Sequence, residues 1–372
     1  MTLMIQDLLR MAVEADASDL HITTHVPPRL RIHGALQSID HPDLSPAETK
    51  QLVYSLLTDK QKKIFEEKLE LDFSFGLKDL GRFRVNVFMQ KGAVAAAIRR
   101  FLPNMGSFQK LGIPQRIAQL CYLPRGLILV TGPTGCGKST TLACLIENIN
   151  QERDVHIVTV EDPIEYYFNS RKSIVNQREL FSDTYSYANA LRAVLREDPD
   201  VVLVGEMRDF ETVEATLRVA ETGHLTFSTL HTNSAVESIN RIIDVFPAQY
   251  QSQVRIILSM SLEAVLTQSL LPKADGTGRV LAMEIMIPNP AIRNLIRENK
   301  IHQIYSTMQM GQEKFGMQTF NQSLAALYFR KQITYDTAMS VTSFPEELTD
   351  IIQRHEGLKG LPGQMAKGPR KS

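Results

Sequence analysis

Four short runs dominate the middle of this 372-residue chain: "GLILVTG" from residue 126, "HIVTVED" from 156, "DVVLVGE" from 200 and "LTFSTLHT" from 225. Each has an apolar centre, interleaved with Thr and Ser in the last, and helix-forming stretches separate them. A strand that is apolar on both sides is stable only when both of its faces are covered. The pattern therefore demands a mostly parallel sheet with helices packed on either side, an α/β fold. No run of about 18 apolar residues occurs, which excludes a membrane-spanning helix.

The first hundred residues have a different texture. Residues 3–14 carry an amphipathic, helix-like spacing. "SDLHI" and "PRLRIHGALQSI" read as strands with a turn at Gly34. "SPAETKQLVYSLLT" opens with Ser45, Pro46 and Glu48, the spacing of a capping box with proline at the first helical position. "LDFSFGL" and "GRFRVNVFMQKGAVAAAIRRF" alternate as antiparallel strands do. The expected organisation is an α+β domain over residues 1–101, a linker over 102–108 ("LPNMGSF"), an α/β domain over 109–356 and a Gly/Pro/Lys-rich disordered tail over 357–372.

The 41 Lys and Arg balance 41 Asp and Glu, so no global field attracts nucleic acid. The N-terminus lacks the basic start and apolar block of a signal peptide, and a cytosolic protein is expected. Cys121, Cys136 and Cys144 form no C-x-x-C pair, so neither a disulfide framework nor a zinc clamp is indicated.

Chemistry concentrates where the apolar runs end. Gly132, Pro133, Thr134, Gly135, Cys136, Gly137, Lys138 and Ser139 fit G-x-x-x-x-G-K-[ST] at every position, followed by Thr140. An apolar strand precedes the loop and a helix-forming run follows it, the context in which backbone N–H groups and a helix N-terminus face phosphates. Lys138 is placed to reach the β- and γ-phosphates of ATP, and the Ser139 hydroxyl to ligate Mg²⁺. A metal-side carboxylate is needed on a neighbouring strand, and Glu206 supplies it where Asp is usual. Glu161, Asp162 and Glu165 follow another strand, and one of them could orient the attacking water. Read alone, either acidic cluster is also an ordinary solvated strand end. His224 and His231 flank the last strand. His231 carries two readings of equal weight, a structural histidine or one that senses the γ-phosphate or bonds a catalytic carboxylate. The two histidines have no third ligand nearby and are not read as a metal site.

In order and spacing, the phosphate loop, "VTVEDPIE", "VGEMRD" and "TGHLTFSTLHT" resemble the secretion ATPases of type II and type IV pilus systems, and most of all their pilus retraction members. The resemblance runs from about residue 1 to about residue 344. It implies a homohexameric ring whose subunits join a PAS-like N-terminal domain to a RecA-like ATPase domain. It implies Glu165 as catalytic base, Glu206 as Walker B acid and His224 with His231 as a histidine box. Arg84 and Arg99 would approach the γ-phosphate; on the residues alone, Arg84 reads as a strand-face arginine in a salt bridge. The partners implied are an inner-membrane pilus platform protein and a paralogous retraction ATPase, with the chain peripheral to that membrane in the bacterial cytoplasm.

Two features point to retraction rather than assembly within that family. The chain begins almost at "SDLHI" without the four-cysteine insertion of longer members, and "PAIRNLIRENK" (290–300) matches a stretch of retraction members. An assembly or secretion ATPase, and a subunit working only beside an active paralogue, stay open as alternatives. A DNA motor on the same fold is disfavoured by the zero net charge.

Overall fold

The computed structural model describes residues 3–32, 34–101, 106–311 and 315–359. The chain divides into two compact units, 1–105 with 163–167, and 106–162 with 168–372.

In the first unit, α1 (Ile5–Glu14) and the strands β1 (Asp19–Ile22), β2 (Arg29–Ile32) and β3 (Ala35–Ser38) are followed by α2 (Pro46–Tyr54) and α3 (Asp59–Lys68). The long strands β4 (Glu70–Leu77), β5 (Gly81–Gln90) and β6 (Ala93–Phe101) complete a six-stranded sheet of order β3-β2-β1-β6-β5-β4, antiparallel throughout. The capping box on α2 forms as its spacing requires, with the Ser45 hydroxyl accepting from the Glu48 N–H. Helix α3 was absent from the sequence expectation because Phe65 is its one buried residue, which leaves no apolar stripe to read. Leu8, Leu9, Leu20, Phe65, Phe83 and Ile98 fill a core of this unit's own.

The second unit is built on a seven-stranded sheet of order β13-β12-β7-β11-β10-β8-β9. Its elements are β7 (Gly126–Thr131), α5 (Lys138–Glu152), β8 (His156–Glu161), β9 (Ile174–Glu179), α6 (Tyr187–Val194), β10 (Val201–Val204), α7 (Phe210–Glu221) and β11 (Leu225–Leu230). Next come α8 (Ala235–Asp244), α9 (Ala248–Ser261), β12 (Leu262–Pro272), β13 (Arg279–Met286) and α10 (Pro290–Arg297). Only the β12–β13 pair is antiparallel. This is the mostly parallel α/β class expected from the four apolar runs, and β7, β10 and β11 are buried at every residue. Leu127 and Leu129 pack with α7, α8 and α9 in one cluster, while Val158, Val160, Val202 and Val204 pack with α6 in another. Beyond α11 (Ile304–Met310), helices α12 (Phe320–Phe329), α13 (Tyr335–Val341) and α14 (Pro345–Lys359) close over Leu271 and Ala282.

Two segment expectations need correction. Phe108, assigned to the linker, is buried and starts α4 (Phe108–Leu111), capped by Ser107; the linker residues 102–105 lie outside the described residues. Residues 357–359, assigned to the disordered tail, continue α14; the rest of the tail, 360–372, lies outside the described residues. Among the described residues no helix is long and apolar enough to cross a membrane.

Candidate functional site

Parallel pairing decides where the candidate residues go. Leu230 on β11 is opposite Thr131 on β7, and Val204 on β10 is opposite Ser228 on β11 and Val160 on β8. The chain therefore leaves β7 into Gly132, β10 into Glu206, β8 through Glu161 into Asp162, and β11 into His231 along one edge. That carboxyl edge is where open parallel sheets bind ligands.

The loop after β7 is held in shape from behind. Gly132 has φ +136°, and a β-carbon there would stand 2.3 Å from the main-chain oxygen of Gln268 on β12. Only glycine meets both demands. The Gln268 amide donates to Thr141 Oγ1 on α5 at 2.8 Å, and the Thr131 and Thr267 hydroxyls share a hydrogen bond at 2.9 Å. Gly137 precedes α5 in a left-handed conformation and offers no side-chain cap. The first N–H groups of this 15-residue helix are thus left to an anion, which the positive end of the helix dipole also favours. Pro133, Thr134 and Gly135 are exposed, whereas Ser139 and Thr140 are half-buried at the helix start. Burial pushes the Cys136 thiol above its ordinary range despite the nearby Lys138 charge.

Lys138 is buried, and its Nζ donates to the carbonyls of Gly132 at 2.8 Å and Pro133 at 3.1 Å. The same Nζ lies 3.4 Å from His231 Nδ1, as does Thr134 Oγ1. On its other side, His231 Nε2 is 3.2 Å from Glu206 Oε1, and Glu206 Oε2 accepts from Arg208 at 2.8 Å. An ammonium only donates and a carboxylate only accepts. Nδ1 of His231 is therefore the acceptor and Nε2–H the donor. One line of polar contacts runs from Lys138 through His231 and Glu206 to Arg208. Burial alone would raise the Glu206 pKa, but the Arg208 hydrogen bond and charge, with His231, hold it below the usual carboxylate range. The Glu206 loop is tied to β11 by Thr229, whose hydroxyl donates to Gly205 O at 2.6 Å and whose carbonyl accepts from Met207 N.

An ionised, half-buried carboxylate and a helix-start hydroxyl at the same sheet edge are hard oxygen donors of the kind Mg²⁺ takes. Among the described residues no three His, Cys, Asp or Glu groups cage a metal by themselves. Mg²⁺ does not need such a cage, since it keeps waters and binds through one or two carboxylates and substrate phosphates. Ser139 and Glu206 are the residues that would hold it.

The remaining candidates fall elsewhere. Glu161 ends β8 at the shared edge, accepting from Thr159 Oγ1 at 2.7 Å and Gln177 Nε2 at 3.3 Å. Glu165 lies in the segment 163–167, which groups with the first unit. His224 stands at the opposite end of β11 from His231, roughly 20 Å away at the rise of a strand. Its Nδ1 contacts Val219 O at 3.0 Å and Thr222 Oγ1 at 3.2 Å at the end of α7. The structure does not bring it to the loop. Arg84 and Arg99 are in the first unit, directly opposite each other on β5 and β6. Arg84 pairs with Asp72, and Arg99 Nε donates to Asp19 Oδ1 at 2.9 Å. Sequence reasoning passed over Arg208, although an arginine two residues past the acid in "GEMRD" was a readable signal. It also passed over Gln268 and Thr141, whose part depends on a strand crossing that local patterns do not encode.

Comparison with known proteins identifies the family and the fold. The family model described as "Type II/IV secretion system protein" matches residues 1–333. The chain is 47% identical over 342 residues to the type IV pilus retractation ATPase PilT of Pseudomonas aeruginosa, covering 92% of this chain and 99% of that protein. It is 38% identical over 348 residues to the type IV pilus ATPase PilU of the same organism, covering 94% and 91%. The crystal structure of the pilus retraction motor PilT with bound ADP superimposes with a TM-score of 0.88 at 54% identity, covering 94% of this chain and 99% of that one. Together with the phosphate loop and its carboxylate partner, these matches establish that the chain belongs to the type II/IV secretion system protein family.

Proposed function

We propose that this chain is an ATP-hydrolysing motor that drives the retraction of type IV pili. The observation that carries this reading is the unbroken line Lys138–His231–Glu206, which joins the phosphate loop to the metal-side carboxylate in a chain whose relatives are named pilus retraction ATPases.

Backbone N–H groups of residues 133–138 and the start of α5 bind the phosphates. Lys138 exchanges its two loop carbonyls for the β- and γ-phosphate oxygens, and His231 reports that exchange to Glu206 because it touches both. Ser139 and Glu206 would hold Mg²⁺, which would supply positive charge against the phosphates. Glu165 orients and deprotonates the attacking water. Arg84 and Arg99 leave their carboxylate partners to stabilise the transferring phosphoryl group, so that hydrolysis is felt by the first unit. The working assembly is a homohexamer against an inner-membrane platform protein on the cytoplasmic side. Nucleic acid has no part in it, given 41 basic against 41 acidic residues.

A second reading is favoured by one finding. Relatives named PilT and PilU occur in the same Pseudomonas strain, so a subunit that acts only beside a paralogue is a real alternative. Robust hydrolysis by the isolated protein removes it. The decisive experiment is Lys138→Ala at the native locus, scored for pilus number and surface motility. Excess pili without twitching support retraction, bald cells indicate assembly, and unchanged pili and motility point to a redundant paralogue or to a motor outside the pilus system.

A further inference from the structure

Tyr187 opens α6, and Ser186 caps the helix ahead of it, its hydroxyl accepting from Asn189 N at 3.2 Å. The ring packs against the cluster of Val158 and Val160 from β8 and Val202 and Val204 from β10. That seat fixes the ring beside two strands of the site, and a phenylalanine would fill it equally well. The hydroxyl is what needs explaining.

It lies 2.9 Å from where a β-carbon on Gly205 would stand, so the ring reaches this depth only because residue 205, immediately before Glu206, is glycine. Four charged side chains act on it electrostatically: Asp162 and Glu161 from the end of β8, and Arg208 and Glu206 from beyond β10. A phenol is neutral near pH 7. Gly205 N–H donates to Val160 O at 2.8 Å, so the parallel register runs Glu206 alongside Asp162 and the hydroxyl is a donor between acceptors. All of these groups belong to the second unit.

We propose that the Tyr187 hydroxyl is a positioning group for hydrolysis, donating into the gap between Asp162 and Glu206 and ordering the water that these carboxylates hold beside Mg²⁺ and ATP. The proposal rests on the ATPase reading given above. Tyr187 touches neither phosphate nor metal in it, and acts through the carboxylates, as outer-shell partners of metal sites do.

The test compares the full-length wild-type protein with Tyr187→Phe, which keeps the packed ring and removes only the hydroxyl. Four quantities are measured: kcat, KM for ATP, the affinity for a fluorescent ADP in EDTA, and the Mg²⁺ concentration that half-restores its metal-dependent binding. A drop of about tenfold in kcat and a rise of several fold in the Mg²⁺ requirement are expected, with KM and the metal-free affinity within about twofold. Unchanged kcat and Mg²⁺ requirement would overturn the proposal. So would a metal-free affinity that falls in step with kcat, because the hydroxyl would then be supporting the loop's shape. If wild-type protein hydrolyses no ATP yet shows the Tyr187-dependent Mg²⁺ requirement, the ATPase reading fails, the part in hydrolysis is overturned with it, and only the hydroxyl's support of the metal-side carboxylates stands.

Discussion

Glu284 on β13 carries a titration that should be visible in the stability of the second unit. Its side chain is almost completely buried, and its carboxylate accepts from Ala235 N, the first residue of α8, at 2.7 Å. It also accepts from Phe320 N, the first residue of α12. Burial pushes the carboxyl up from an ordinary 4.5 to about 7, a rise that the two backbone hydrogen bonds oppose without cancelling. Because the folded value is raised, the folded state holds its proton more tightly than the unfolded state does. The stability this confers is complete below about 4.5 and is lost as pH rises through about 7. At about 1.4 kcal/mol per tenfold change in proton affinity, the ionised group costs about 3 kcal/mol above neutrality. Glu284→Gln keeps one acceptor oxygen, enough for the Ala235 N–H, but does not titrate. Denaturation midpoints for both proteins between about pH 5 and about pH 8.5 should therefore diverge, with wild type losing about 3 kcal/mol relative to the variant as pH rises. Hydrogen-exchange protection at peptides containing Ala235 and Phe320, taken relative to the intrinsic rate at each pH, should fall over the same range in wild type alone. A wild-type-minus-variant difference that does not change with pH would refute the reasoning, because the carboxyl would then titrate as an ordinary one.

Other perturbations have equally definite outcomes. Gly132→Ala forces a β-carbon into the Gln268 oxygen and into a left-handed backbone that alanine resists at about 1–3 kcal/mol; ATP binding measured by calorimetry should be lost while the fold persists by circular dichroism. Glu206→Ala should abolish hydrolysis in a phosphate-release assay, and an active enzyme would overturn the metal-site assignment. Arg293→Ala removes the donor to Ser259 O and Met260 O at the end of α9 and the partner of Glu263, so thermal unfolding should show a loss of about 1–3 kcal/mol. The three thiols are buried, and burial raises Cys121 to about 12 and Cys144 to about 11; alkylation followed by mass spectrometry should find all three slow until the protein unfolds.

Much of the second unit could be read from sequence because its central strands are apolar on both sides, and such runs have few other uses. β9 and β12 were missed for opposite reasons. "IVNQRE" is an edge strand with polar residues, and β12 leaves α9 with no intervening loop residue to mark a boundary. The α3 helix carried one usable signal, Thr58 followed by Gln61, and the structure shows that capping box formed. At the site, the loop was plain because its chemistry lies in consecutive residues. The histidines were not. Seven positions apart they look like a pair, yet a parallel strand sends one to each edge of the sheet. The pairing of Arg84 with Asp72, and of Arg99 with Asp19, depends on strand register across β1, β6, β5 and β4, information that no local pattern contains.

The prop behind the phosphate loop also limits how this protein can change by descent. What meets residue 132 is the main-chain oxygen of Gln268, and every amino acid has that atom. No replacement at 268 can therefore make room for a side chain at 132, and the glycine is fixed without regard to its neighbour's identity. Thr131 with Thr267, and Thr141 with Gln268, meet through side chains instead, so each pair can drift provided its members drift together. Among descendants of one ancestral gene, residue 132 should stand still while these two pairs vary in step, and what is inherited is the register between β7 and β12.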